Sequence, residues 1–417
     1  MAYIPYSVQP KLGALANPTY QHEFFVDGQL AIGDAYDGVW KTVLVGGLGA
    51  GGRGMYALDI TTPGNPDVLW EFTDEDDADL GFTFGEPVIT RTSSGKWVAI
   101  FGNGYGSDNG LAYLYVVDLF NGTVLDKELV GPAGGGNGLS GVAAFLDPVS
   151  QTFVTRVYAG DLNGTMWRFD LSDDDAEERY ANGLFTTPGN RPITVTPGLA
   201  ASPNGGVFVY FGTGKLLETG DRAVPGTDEN FWAVLDTNSA ISGTSGFGQA
   251  NITISGGNRV ITGAQGSDGW YLPLDVASSE GERVLNKARL IFGRLVFSTF
   301  EPDDDACSTG GIQRLYVLDA LSGEGLLDDV CPNCGVIEIG TGAPVEPPVV
   351  LKPAQPPAYT PPGAGDPPPV DPSVPPGVDP TRAREGWCSE FGILSPATGF
   401  LPLGTLCDGR QVWRQPR

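Results

Sequence analysis

One unit recurs along this chain and restricts its fold more than any other feature. An apolar, β-branched run meets a glycine-rich connection, and an aromatic–aliphatic run then closes on aspartate. Val43-Leu44-Val45-Gly46-Gly47 leads to Gly54-Met55-Tyr56-Ala57-Leu58-Asp59, and Val98-Ala99-Ile100-Phe101-Gly102 leads to Leu114-Tyr115-Val116-Val117-Asp118. Arg156-Val157-Tyr158-Ala159-Gly160-Asp161 leads to Thr165-Met166-Trp167-Arg168-Phe169-Asp170. Val209-Tyr210-Phe211-Gly212 precedes Phe231-Trp232-Ala233-Val234-Leu235-Asp236, and Leu295-Val296-Phe297-Ser298 precedes Leu315-Tyr316-Val317-Leu318-Asp319. The closing aspartates are spaced 59, 52, 66 and 83 residues apart. Such a period, stretched by inserted loops, predicts an all-β fold, a modified β-propeller, over a β-sandwich with coincidental spacing.

Each unit has a direct physical reading. Continuous apolar runs of five or six residues are strands buried on both faces. The glycines permit turns with positive φ, and the aspartate carboxylate is placed to cap the backbone of the next turn. Leading strands are expected at Gln29–Gly33, Glu86–Ile89, Gly141–Phe145 and Ile193–Thr196, and one short helix at Glu280–Ala288. The glycine string Gly46–Gly54 lies between two strands, so it reads as a hairpin turn; a phosphate loop needs a helix N-terminus there.

Charge and rare residues narrow the chemistry. Lys and Arg number 24 against 50 Asp and Glu, a formal charge of −26, which gives no electrostatic footprint for nucleic acid. No apolar run reaches the roughly 20 residues of a membrane-spanning helix. His22 is the one histidine, so a multi-histidine zinc site cannot be built, and it reads as a structural residue. The acidic runs Asp74–Asp79 and Asp173–Glu178 read as solvated loops, with calcium as the alternative. Five cysteines point to an oxidising, extracytoplasmic setting, with a bridge expected between Cys388 and Cys407 and the pairing of Cys307, Cys331 and Cys334 open. The export signal this needs is expected upstream, since Met1-Ala2-Tyr3-Ile4-Pro5 has neither a basic nor an apolar signal region. The organisation expected is a propeller over 1–342, a proline-rich linker over 343–381 and a cysteine-bracketed tail over 382–417.

Longer motifs carry a family resemblance. The segment from Tyr158 to Leu171, with Gly160, Asp161, Trp167 and Asp170, resembles the tryptophan-docking repeat of quinoprotein alcohol dehydrogenase propellers, in which aromatics lock adjacent blades. With Tyr3-Ile4-Pro5, Pro10-Lys11-Leu12, Phe25-Val26-Asp27-Gly28, Gly33-Asp34-Ala35-Tyr36, Trp40 to Gly47 and the ending Gly409 to Arg414, it is similar to the C-terminal propeller of the PilY family of type IV pilus tip proteins. The resemblance implies a non-enzymatic module, exported through the periplasm to the cell surface at the pilus tip. It would act in pilus biogenesis, extension and retraction, adhesion and twitching motility, with minor pilins, the tip complex and host or abiotic surfaces as partners. It also implies a calcium loop before the Tyr-Ala-Gly-Asp motif. Here Asp147 matches the first ligand and Gln151 offers an amide oxygen, but Val149 and Thr155 stand where oxygen donors belong, so a plain hairpin is favoured and no cofactor is expected. The alternative is a dehydrogenase using pyrroloquinoline quinone; the adjacent cysteine pair that stacks on that cofactor is missing from this sequence.

Overall fold

The computed structural model describes residues 3–132, 135–173, 180–223, 228–276, 281–302, 310–327, 331–341, 349–352, 388–395 and 399–407. It divides into two compact units, with the boundary after Ile337. The first unit is built from five successive sheets among the described residues. Sheet one holds β1 (Leu30–Tyr36), β2 (Trp40–Gly47), β3 (Gly54–Asp59) and β4 (Asp67–Thr73). Sheet two holds β5 (Val88–Arg91), β6 (Trp97–Gly102), β7 (Ala112–Asp118) and β8 (Val124–Val130). Sheet three holds β9 (Leu139–Leu146), β10 (Val154–Asp161), β11 (Thr165–Asp170) and β12 (Tyr180–Thr186). Each is an antiparallel meander in chain order.

The fourth sheet has the order β13-β14-β15-β19-β16, made from β13 (Gly198–Ala201), β14 (Val207–Gly212), β15 (Asn230–Asp236), β16 (Phe247–Gln249) and β19 (Gly269–Pro273). Between β16 and β19 it carries an inserted hairpin, β17 (Asn251–Ser255) and β18 (Asn258–Thr262). The fifth sheet is formed by β20 (Arg283–Val284), β21 (Arg289–Ile291), β22 (Arg294–Pro302), β23 (Gly311–Asp319) and the start of β24 (Val336–Thr341). The first strands of sheets one to four adjoin, β1 beside β5, β5 beside β9 and β9 beside β13, and β13 lies beside β21 of sheet five. The second unit contains β25 (Val349–Lys352), β26 (Cys388–Ser395) and β27 (Gly399–Cys407) in one antiparallel sheet. Among the described residues no helix is long and apolar enough to cross a membrane.

Alternate side chains of a strand point to opposite faces, so a strand sandwiched between two sheets must be apolar throughout. Sheet two obeys this. Ala99 and Phe101 of β6 pack with Val43, Val45 and Met55 of sheet one. Val98 and Ile100 of the same strand pack with Val142, Val157 and Phe169 of sheet three. A third core joins sheets three, four and five through Tyr158, Phe231, Trp232, Phe297 and Tyr316. The face of sheet one turned away from sheet two is covered differently. Leu44, Tyr56 and Leu58 pack against Val8, Tyr3 and Phe25 of the N-terminal segment. Tyr3 donates to the Glu71 carboxylate, Lys11 Nζ donates to the Gly51 carbonyl at 2.6 Å, and Gly51 N–H donates to Asp27 Oδ1 at 3.2 Å. The quoted N-terminal motifs therefore converge on the Gly46–Gly54 turn, which is the hairpin connection expected between β2 and β3. A Cβ on Gly51 would stand 2.0 Å from the Phe25 carbonyl oxygen, so only glycine admits the strap.

Several local expectations need correction. Glu282–Ala288 is not helical: β20 lies there, with Arg283 opposite Phe300, and Glu280 falls outside the described residues. Ile193–Thr196 makes one isolated bridge, to Gly214, and the leading strand of sheet four is Gly198–Ala201. The acidic run Asp74–Asp79 is not simply solvated. Lys127 Nζ bridges Asp77 and Asp79 at 2.8 and 2.6 Å and sits 4.4 Å over the Tyr113 ring. Burial opposes ionisation of Asp77, yet the Lys127 hydrogen bond holds it below the usual carboxylate range. His22 is exposed and lies edge-on to Phe24 at 4.9 Å. Of the second acidic run, 174–178 lies outside the described residues, as does most of the expected linker; within that linker Val349–Lys352 pairs with β26.

Candidate functional site

The closing aspartates do what their position predicts. Asp59 accepts the N–H of Thr61, Asp118 those of Phe120 and Asn121, and Asp170 that of Ser172. Asp236 accepts from Asn238, and Asp319 from Leu321 and Ser322. Each carboxylate thus fixes the turn that follows its strand. Within the Tyr158–Leu171 motif, Asp161 is buried and takes three donors: Thr165 N–H at 2.8 Å, Trp167 Nε1 at 2.9 Å and Asn137 Nδ2 at 3.1 Å. Asn137 precedes β9 and Trp167 belongs to β11, so Asp161 joins the entry of sheet three to its third strand. A Cβ on Gly160 would meet Ile193 at 2.3 Å, which explains the glycine.

The Trp167 indole N–H is thus used within its own sheet, while Tyr158 and Arg168 of the same motif reach Asp236 of sheet four, and the indole hydrogen bonds that cross between sheets come from two other tryptophans. Trp70 Nε1 on β4 donates to the Leu119 carbonyl of sheet two at 2.9 Å. Trp270 Nε1 on β19 donates to the Ala320 carbonyl of sheet five at 3.0 Å. Both acceptors immediately follow a closing aspartate, and both indoles lie on a glycine three residues further on, Gly122 and Gly323. Sequence reading missed this pair; the signal was Asp-x-x-Asn-Gly at 118–122 and Asp-x-x-Ser-Gly at 319–323. Gly122 has φ +72°, and a Cβ there would meet the Trp70 ring at 2.8 Å. Gly122→Ala is expected to cost about 1–3 kcal/mol in urea denaturation. Gly64→Ala, with nothing within 4 Å, should cost much less and serves as the control.

The turn at which the family resemblance implies a calcium loop is closed by its own backbone. Asp147 accepts the N–H of Ser150 at 2.6 Å and of Val149 at 3.2 Å, and Gln151 Nε2 donates to the Pro148 carbonyl at 3.5 Å. Gln151 takes φ +56°, and Val149 projects into solvent without an oxygen donor. Among the described residues no three His, Cys, Asp or Glu side chains are grouped to hold a metal ion. Calcium titrated at millimolar concentration into the chelator-treated protein is expected to give no binding heat at this turn. The cysteines separate into two places. Cys331 and Cys334 form a disulfide, and the β26–β27 register sets Cys388 directly opposite Cys407. Cys307 lies outside the described residues.

Exposed aromatic residues gather where β1 turns into β2. Gly38 at φ +74° closes the turn, and Tyr36 stands opposite Trp40 with ring centroids 5.6 Å apart. Trp40 is 65 % exposed and Val39 60 %. The Trp40 indole also meets Trp97, at the equivalent hairpin of sheet two, edge-on at 6.4 Å. Amphipathic rings held rigidly by hairpins suit the anchoring of another macromolecule.

Sheets stacked face to face, locked by tryptophans on neighbouring turns, define an all-β propeller domain. The sequence model of the PilY1 β-propeller domain matches residues 5–258, and the chain belongs to that family. It is 36% identical to a type IV pilus biogenesis factor PilY1 homolog of Xylella fastidiosa, over the whole of this chain and 31% of that relative. It is 34% identical to the type IV pilus biogenesis factor PilY1 of Pseudomonas aeruginosa, over 77% of this chain and 34% of that relative. The crystal structure of the Pseudomonas aeruginosa PilY1 C-terminal domain superposes with a TM-score of 0.69 at 25% identity, covering 84% of each chain. The chain spans about a third of the length of these curated relatives. These matches lend no support to the quinoprotein likeness or to the dehydrogenase alternative.

Proposed function

We propose that this chain is the propeller module of a type IV pilus biogenesis factor and works without catalysis. It contacts minor pilins in the tip complex at the cell surface, where it supports extension, retraction, twitching and adhesion. One observation carries the reading: 36% identity, over the whole of this chain, with a relative named as a type IV pilus biogenesis factor PilY1 homolog. The side-chain geometry agrees with it. The buried carboxylates Asp161 and Asp236 are engaged in holding strands and turns, while the aromatic turn at Tyr36–Trp40 faces solvent. Specific protein interfaces bury on the order of 1,600 Å² and concentrate their affinity in a few aromatic anchors.

The test is a photo-crosslinker at position 40 of the full-length protein in piliated cells, beside a Trp40→Ala strain. Crosslinks to minor pilins and a loss of twitching with the folded protein still present are expected. If position 40 captures no pilus component and Trp40→Ala twitches normally, the aromatic turn is not the contact. If deletion of the full gene leaves piliation, twitching and adhesion intact, the whole reading fails.

A further inference from the structure

The disulfide Cys331–Cys334 closes a turn whose two ends differ sharply in exposure. Cys334 is fully buried, whereas Cys331 is partly open and Pro332 and Asn333 are exposed. Asn333 is held at φ +56°, in the left-handed region, and Cys334 N–H closes the turn on the Cys331 carbonyl at 3.0 Å. This turn is also the place where the hairpin inserted in sheet four is fastened to sheet five. Ile261 N–H on β18 donates to the Asn333 carbonyl at 3.0 Å, and Gly335 N–H donates to the Arg259 carbonyl at 3.2 Å. Val260 and Cys334 form a bridge, and Leu327 N–H donates to the Cys334 carbonyl at 2.6 Å. A Cβ on Gly335 would stand 2.6 Å from Ile261 Cδ1, so turn and hairpin are in direct contact.

We propose that Cys331–Cys334 is a redox-active site for external dithiols, including the active-site dithiol of a thiol–disulfide oxidoreductase, and that its oxidised form clamps the β17–β18 hairpin. A partly exposed cysteine bonded to a buried partner is the arrangement that thiol–disulfide exchange uses. The incoming thiolate attacks Cys331 Sγ. A new sulfur–sulfur bond forms as the old one breaks, and the electron pair leaves on Cys334 Sγ, which takes up a proton. The second thiol of the same reductant, losing its proton, then attacks the reductant sulfur of the mixed disulfide and releases Cys331 as a thiol. Two electrons and two protons pass to this chain, and the reductant leaves as a disulfide. With the ring opened, Asn333 is no longer held in the left-handed region by a covalent closure, and the two hydrogen bonds from 333 and 335 to β18 loosen. The exposed strand β17, Asn251–Ser255, would then be freed to change its contacts.

The test uses the folded chain equilibrated in dithiothreitol redox buffers without denaturant. Thiols are trapped with a maleimide and mapped by mass spectrometry, and amide exchange is followed across 251–262. Labelling is expected at Cys331 and Cys334 together, with exchange at 259–262 rising about tenfold while 98–101 of sheet two does not change. A Cys331→Ser/Cys334→Ser variant should show the raised exchange under oxidising conditions. If it does not fold, reduction of the native chain still decides the matter. Resistance of the bond to dithiothreitol without denaturant overturns the proposal, as does a map that pairs Cys331 or Cys334 with Cys307. Labelling without any change in hairpin exchange overturns the clamp.

Discussion

Replacing Asp236 by alanine is expected to destabilise the first unit by about 3–5 kcal/mol, read from denaturant unfolding followed by tryptophan fluorescence. The carboxylate ends β15 of sheet four with no solvent exposure, and two of its three donors come from sheet three. Arg168 Nη1 on β11 reaches Oδ1 at 2.6 Å and Tyr158 on β10 donates to Oδ2 at 2.7 Å, while Asn238 N–H shares Oδ1 at 2.8 Å. Burial first, and then the Asp236 carboxylate, hold Tyr158 well above the ordinary phenol range, so it stays protonated as a donor. An exposed ion pair contributes about 0–1 kcal/mol, but here truncation strands a guanidinium that is itself 9 % exposed. Asp236→Asn keeps an acceptor for Tyr158 and loses the charge, so an intermediate loss is expected. Adding Arg168→Met to Asp236→Ala should restore part of the loss, because the uncompensated charge dominates it. A loss under about 1 kcal/mol, or no recovery in the double variant, would mean that water reaches the pair.

What the sequence reveals depends on how local the cause is. The closing aspartates were legible because each caps a turn two or three residues away, and the doubly apolar strands because burial on both faces writes itself into every position. The leading strand of sheet four was misplaced because Ile193-Thr194-Val195-Thr196 has strand composition but spends it elsewhere: Ile193 and Val195 are buried in a connection, and Ile193 lies against Gly160. The expected helix at Glu280–Ala288 failed for a related reason. Glu282 and Arg283 resemble the charged face of a helix, yet both are buried and claimed by partners far along the chain. Trp167 lies in the longest motif, whose resemblance implies aromatics that lock blades, yet its indole N–H is taken by Asp161 of its own sheet. Trp70 and Trp270 do that work from strands with no motif, and only the glycine that receives each indole marks the site. The aromatic turn was visible as letters; its exposure came from the hairpin, which points Tyr36 and Trp40 outward together.

The largest effect is expected at Glu282, a residue without a sequence signature. Its carboxylate is fully buried, and four side chains from three strands converge on it. Arg259 Nη1 of β18 approaches at 2.7 Å and Arg314 Nη1 of β23 at 3.1 Å; Thr299 of β22 and Tyr316 of β23 donate at 2.6 and 2.7 Å. Glu282→Ala removes the shared acceptor of two guanidiniums and two hydroxyls at once, and of these, among the described residues, only Arg314 keeps another carboxylate, Glu301. A loss of about 5 kcal/mol or more is expected, enough to exhaust a typical domain's 5–15 kcal/mol or nearly so, and soluble expression should fall with it. Glu282→Gln keeps the acceptor oxygen for Thr299 or Tyr316 and should yield protein that can be measured, with a loss of about 2–4 kcal/mol. Arg259→Met should cost less than Glu282→Ala, because the carboxylate keeps Arg314, which also pairs with Glu301 at 2.5 Å. Its effect should also be local. Amide exchange should rise in the β17–β18 hairpin, which Arg259 ties to sheet five, and not in sheet two. If Arg259→Met instead matches Glu282→Ala in size and loosens every sheet alike, the cluster holds up the whole unit and the hairpin has no independent attachment there.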